Sequence, residues 1–280
     1  MITLKKIIQK TFFAFPVVLL FLMFTGCGSN NQKQQKSNEV PQIEQKEEVA
    51  KDVIEYPIPT SMEVTKLLNE AGASYILGIS NDAANAEKYF TQRKKALNLG
   101  IYGADLSYAA TYNQTQETMD YLHASQKLIS ELNITTAFNN KLADRIEANI
   151  QNNDSLIKII TNSFYDTYQY MVKNDRDIQS LLVMTGSWIE GMYITTQINI
   201  TASKNLKIED IILNQKASLQ KLLDLMQPVK NNEDIKGVYD ALSGINAVYM
   251  QLNSDNQKAA VATITTDIEN IRNKIIEPAS

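Results

Sequence analysis

"IQSLLVMTGSWIEGMYITTQINITAS", residues 178–203, carries a single charged side chain, Glu190. The stretch is several times the length of an ordinary strand and shows no two-residue alternation, so it reads as a helix of about seven turns. Its apolar residues fall on every face, which places the helix inside a protein core rather than on its surface. A membrane span is the competing reading of Leu181 to Ile200, but Glu190, Gln197, three threonines and two glycines favour a buried globular helix. A second segment has the same character: "ALNLGIYGADLSYAATYNQTQ", residues 96–116, holds only Asp105. Two such helices predict a helical body built around them.

The rest of the chain agrees. Thr60 followed by Glu63 in "PTSME" fits a capping box, so a helix begins there. Further helices are predicted at about 82–97, 102–132, 136–150, 154–173, 176–200 and 233–251, separated by "NLG", "NIT", "NND" and "KNDRD". Ile208, Ile212, Leu219, Leu222 and Met226 form an apolar stripe with Gln215 in its middle, stopped by Pro228. Val261, Ile264, Ile268, Ile271 and Ile275 form another, ended by Pro278. The stripes are too brief for a long coiled coil, and the short connections imply antiparallel neighbours. The expected fold is all-α: an irregular multi-helix bundle of antiparallel helices over residues 60–280, following a disordered tether. With 44% hydrophobic residues the 280-residue chain can bury a sizeable core.

Residues 1–26 are different. Lys5, Lys6 and Lys10 precede an apolar run from Phe12 to Phe24, well short of the roughly 20 residues a spanning helix needs. That is the layout of a signal peptide. The run ends at Phe24-Thr25-Gly26-Cys27, which resembles the lipobox of bacterial lipoproteins, with Phe24 where the pattern favours leucine. The resemblance implies cleavage before Cys27, the only cysteine, and acylation of its thiol and of the new N-terminus. Gly28, in place of the aspartate that retains some lipoproteins at the inner membrane, points by the same resemblance to the outer membrane, facing the periplasm. Lipid also resolves a chemical difficulty, since a lone thiol in an oxidising envelope has no partner cysteine. Residues 27–59 follow as the acylated cysteine and a tether rich in Gln, Asn, Lys and Glu, spanning roughly 30 Å root-mean-square.

Charge and motifs narrow the function. The formal net charge is −4, and removing Lys5, Lys6 and Lys10 with the signal makes it more negative, so nucleic acid is not an expected partner. One histidine, His123, cannot supply a hydrolytic zinc site or serve several catalytic roles, and no metal or other cofactor is expected. Neither a G-x-S-x-G elbow, a Walker loop, a G-x-G-x-x-G loop nor a calcium loop occurs; "GIYG" (100–103) reads as a helix junction, and "NNDS" and "KNDRD" as interhelical turns. No catalytic constellation is legible, so an enzyme is the least supported class.

What stands out is the isolation of Asp105 and Glu190, because a buried carboxylate must be paired, hydrogen-bonded or protonated. Tyr102, Tyr108 and Tyr112 flank the first; Trp188, Met192 and Tyr193, with Gly186 and Gly191, flank the second. These residues define a candidate pocket for a cationic or hydroxyl-bearing ligand. The alternative is structural: Asp105 favouring a helix N-terminus, glycines permitting close helix approach, and Glu190 bonded to a tyrosine. The leading expectation is therefore a lipid-anchored envelope module that binds or scaffolds another envelope protein. A small-ligand receptor using the Asp105 and Glu190 region is the alternative.

Overall fold

The computed structural model describes residues 59–134, 141–202 and 206–277. The signal segment, Cys27 and the tether up to residue 58 lie outside the described residues, as do the predicted helix start near 136 and Pro278. Among the described residues there are ten α-helices and no strand, packed together as an all-α bundle.

The predicted capping box is complete. The Thr60 hydroxyl accepts the Glu63 N–H, and the Glu63 carboxylate accepts the Thr60 N–H, starting α1 (Ser61–Glu70). A 3-10 helix (Ala83–Lys88) then leads to α2 (Gln92–Thr111), α3 (Thr115–Glu131), α4 (Lys141–Ala148), α5 (Asn153–Lys173) and α6 (Asp177–Thr201). The chain continues through α7 (Leu206–Leu213), α8 (Lys216–Met226), a 3-10 turn (Gln227–Val229), α9 (Glu233–Met250) and α10 (Gln257–Ile276). The joints use residues that tolerate the left-handed conformation: Asn113, Asn133 and Asp175 have φ of 58°, 57° and 56°.

α2 and α6 are the centre. Every residue of α2 from Ala96 to Thr111 and of α6 from Ser180 to Met192 is buried, which is why neither sequence shows an apolar stripe. Several of their serine and threonine hydroxyls bond within their own helices: Ser107 donates to the Gly103 carbonyl (2.8 Å), Thr111 to Ser107 (2.8 Å) and Thr185 to Leu181 (2.7 Å). Where the helices cross, backbone meets backbone. A Cβ on Gly100 would lie 2.0 Å from the Val183 carbonyl oxygen, and one on Gly186 would lie 1.9 Å from that of Leu97. α1, α3, α5 and α10 pack around this pair, and α7, α8 and α9 complete the outer layer.

Four boundaries differ from the sequence reading. The expected helix at 82–97 is interrupted because Tyr89 turns inward, 1% exposed, and donates to the Ile276 carbonyl (3.0 Å); Thr91 then caps α2 by accepting the Lys94 N–H (3.1 Å). "GIYG" is no junction: Gly100 and Gly103 lie inside α2, where they admit α6 and the Phe164 ring of α5. The expected helix at 102–132 breaks at Tyr112–Gln114, giving α2 and α3. The stripe from Ile208 to Met226 spans two helices, because the Ile212 carbonyl accepts the Tyr249 hydroxyl (2.7 Å) and the Gln215 N–H (3.2 Å) as α7 ends.

The crossing makes a sharp prediction. Gly100→Ala and Gly186→Ala should each destabilise the protein by about 3 kcal/mol or more, since overpacking against backbone has no soft way out. Gly244→Ala, in α9 with nothing within 4 Å of the added Cβ, should instead stabilise by roughly 0.5–1 kcal/mol. Urea denaturation of the three variants measures the contrast.

Candidate functional site

Glu190 is fully buried on α6, and burial of its charge demands a partner. Arg272 of α10 supplies it. The guanidinium meets the carboxylate at two points, Nε to Oε2 and Nη2 to Oε1, each 3.0 Å. Nη2 also donates to the Ile79 carbonyl (3.1 Å), and the guanidinium carbon lies 4.3 Å from the centre of the Tyr193 ring. Burial opposes the positive charge of Arg272, but the Glu190 carboxylate outweighs it and holds the guanidinium pKa above its ordinary value. Three elements are joined by this contact: α6, α10 and the segment between α1 and the 3-10 helix.

That segment, residues 71–82, lies as a strap pinned by buried polar groups. The Ile76 N–H donates to the Tyr108 hydroxyl (2.8 Å), the Asn81 N–H to Asp105 Oδ2 (3.2 Å), and the Tyr102 hydroxyl to the Asp82 carbonyl (2.8 Å). The Asn81 amide nitrogen reaches the Tyr89 hydroxyl (3.0 Å) and Asn98 Oδ1 (3.3 Å). Each bond satisfies a backbone or side-chain group that burial would otherwise leave unpaired.

Asp105 is less well served. It is fully buried, and Oδ1 has no hydrogen-bond partner. The Ser80 hydroxyl stands near this carboxyl and near Tyr121 and is likewise without a hydrogen-bond partner. Burial first, and the neighbouring Glu190 carboxylate second, push the Asp105 pKa well above the usual carboxylate range; Arg272 and the Asn81 N–H pull in the opposite direction and lose. Burial thus shifts Asp105 toward its protonated form.

The seven candidate residues fall into several local environments, with Asp105 and Glu190 close enough for their charges to interact. Glu190 and Tyr193 belong to the Arg272 contact, and Asp105 and Tyr102 to the strap network, with Tyr102 also stacked on Tyr121 at 6.3 Å between centroids. Tyr108 and Tyr112 join Tyr75 in an aromatic cluster, with centroids 4.6 to 5.7 Å apart, beside Ile194 and Ile198. Burial there pushes the Tyr108 phenol up to about 12. Trp188, 6% exposed, borders a cavity of about 10 Å³ with Ser61, Gly191 and Gln215, the room of a single water. Gly186 serves the close approach of α6 to α2, as one of the sequence readings held.

Arg272 is the residue that sequence reasoning passed over. Its signal was present: it stands four residues after Ile268 and three before Ile275, on the buried stripe itself. His123 is exposed on α3. Among the described residues no three of His, Cys, Asp and Glu converge as metal ligands, and no helix is long and apolar enough to cross a membrane. No protein family, curated protein or solved structure matches this chain.

Two outcomes follow from the charges. Glu190→Gln and Arg272→Met should each cost about 3–5 kcal/mol, by stranding a buried partner, and the double variant should cost far less than the two combined. For Asp105 the sign is reversed. A carboxyl with a raised pKa in the fold contributes most below the unfolded value of about 4 and loses that contribution as pH rises toward the folded value. Asp105→Asn should therefore raise the melting temperature by several degrees at pH 7, with the gain shrinking as pH falls toward 4; melting curves across that range test it.

Proposed function

We propose that the chain is a lipid-anchored cell-envelope protein whose helical body acts as a binding or scaffold module for another envelope component. The observation that carries this reading is Phe24-Thr25-Gly26-Cys27, placed after a lysine-bearing apolar leader and before a long polar stretch that runs to α1. Two or more acyl chains on Cys27 would hold the protein firmly, at about 0.8 kcal/mol per buried methylene. The acidic character of the chain suits a body that stands off an anionic bilayer instead of lying on it.

The geometry favours the module over a receptor built on the isolated acids. Glu190 already has a cation, Arg272, and so offers no free charge to a ligand. The candidate aromatic residues divide between two packed clusters, Tyr102, Trp188 and Tyr193 in one and Tyr108 and Tyr112 in the other.

Intact-mass analysis of the protein from its membranes tests the anchor. The expected species begins at Cys27 and carries the mass of a diacylglyceryl thioether and an amide-linked acyl chain, and Cys27→Ser should accumulate as a precursor that retains residues 1–26. A mature chain starting elsewhere, or a free Cys27 thiol, overturns the reading.

A further inference from the structure

Where α2, α3, α5 and α6 meet, the core is incompletely filled. A cavity of about 40 Å³, partly open to solvent, lies among Leu99, Leu106, Ile129, Phe164, Met171 and Met184. That is room for about three water-sized spheres. No charged side chain lines it.

Besides the Tyr168 phenol, four hydroxyl-bearing side chains border the cavity, and these separate into two kinds. Those of Ser163, Thr167 and Ser180 donate to the carbonyls of Ile160, Ser163 and Asp177, at 2.6, 2.7 and 2.9 Å. Ser125 is different. It is 3% exposed, and its Oγ has no hydrogen-bond partner. A helical serine ordinarily settles on the carbonyl one turn back, as Ser107 does on Gly103. An unpaired hydroxyl in an apolar lining is a standing cost to the fold, and a ligand atom that bonds to it removes that cost.

The wall facing Ser125 can yield. A Cβ on Gly103 would lie 2.6 Å from Phe164 Cε1, so the ring closes against the bare backbone of α2. Phe164 is only half-buried, and α5 buries just Leu156, Ile159, Ile160, Thr167 and Met171 along its 21 residues. The ring takes no part in the α2–α6 crossing, which lies at Gly100 and Gly186.

We infer that this cleft binds a small, neutral, mostly apolar molecule with one hydrogen-bonding atom, an alcohol or a phenol, whose polar atom meets Ser125 Oγ. Neutrality follows from the uncharged lining, since an ion would find no counter-charge there. The apolar body lies between Leu106, Met184 and the Phe164 ring. The site uses neither Asp105 nor Glu190, and it stands independently of the lipid anchor.

The test uses the full chain in lipid nanodiscs, with 4-fluorophenol and fluorobenzene as probes followed by ¹⁹F NMR; empty discs give the partitioning into lipid. Both probes should show saturable binding above that background. Ser125→Ala should weaken 4-fluorophenol about five- to tenfold, the loss of one hydrogen bond, while changing fluorobenzene by less than about twofold. Ser163→Leu, which fills the cleft from α5, should weaken both. Circular dichroism establishes that each variant is folded, and if Ser163→Leu is not, the contrast between probes in Ser125→Ala decides alone. Binding no greater than that of empty discs, or equal effects of Ser125→Ala on the two probes, overturns the inference.

Discussion

Bare backbone at Gly100 and Gly186 lets α2 and α6 touch at their main chains, and the rest of the bundle is arranged around that contact. Helices held this close leave little room for side chains between them, so what each sequence carries nearby must face the other helices of the bundle. The other elements then close over both helices on all sides, leaving long unbroken runs of buried residues. Such burial is favourable for Leu97, Ile101 or Ile189. It is costly for Asp105 and Glu190, which the same helices carry into the interior.

The two acids meet that cost in opposite ways. Glu190 is paired with Arg272, which arrives from α10 with a two-point contact, and Tyr193 and the Ile79 carbonyl complete the shell around the guanidinium. Asp105 has one backbone donor and no cation bonded to it, and burial shifts it toward the protonated form. The strap over both is held by polar bonds, from Ile76 to Tyr108 and from Tyr102 to Asp82. Buried polar groups of this kind specify one arrangement of the segment, because any shift leaves several of them unpaired at once.

Helices with strong local signals were legible. Thr60 and Glu63 announced α1, and the stripe from Val261 to Ile275 announced α10. α5, α6 and α9 fell within a residue or so of the expected bounds. Boundaries set by distant residues were not legible. Nothing near Tyr89 says that its hydroxyl will find Ile276, and nothing near Ile212 says that Tyr249 will take its carbonyl. Glycine misled for the same reason: Gly100 and Gly103 look like a break until the backbone of α6 and the ring of Phe164 are seen to occupy the space a side chain would need.

By itself the sequence determined the helical class, the central place of the helices that carry Asp105 and Glu190, and the fact that these two acids needed an answer to burial. Those conclusions rest on composition and period, which are local properties of the chain. Which answer each acid received was decided only by the tertiary structure, since it depends on residues far apart in sequence: Arg272 lies 82 positions from Glu190, and Asn81 lies 24 from Asp105. The unpaired hydroxyl of Ser125 belongs to the same category. A hydroxyl's partner, or its lack of one, is a fact about the packing of several helices, and no single stretch of sequence contains it.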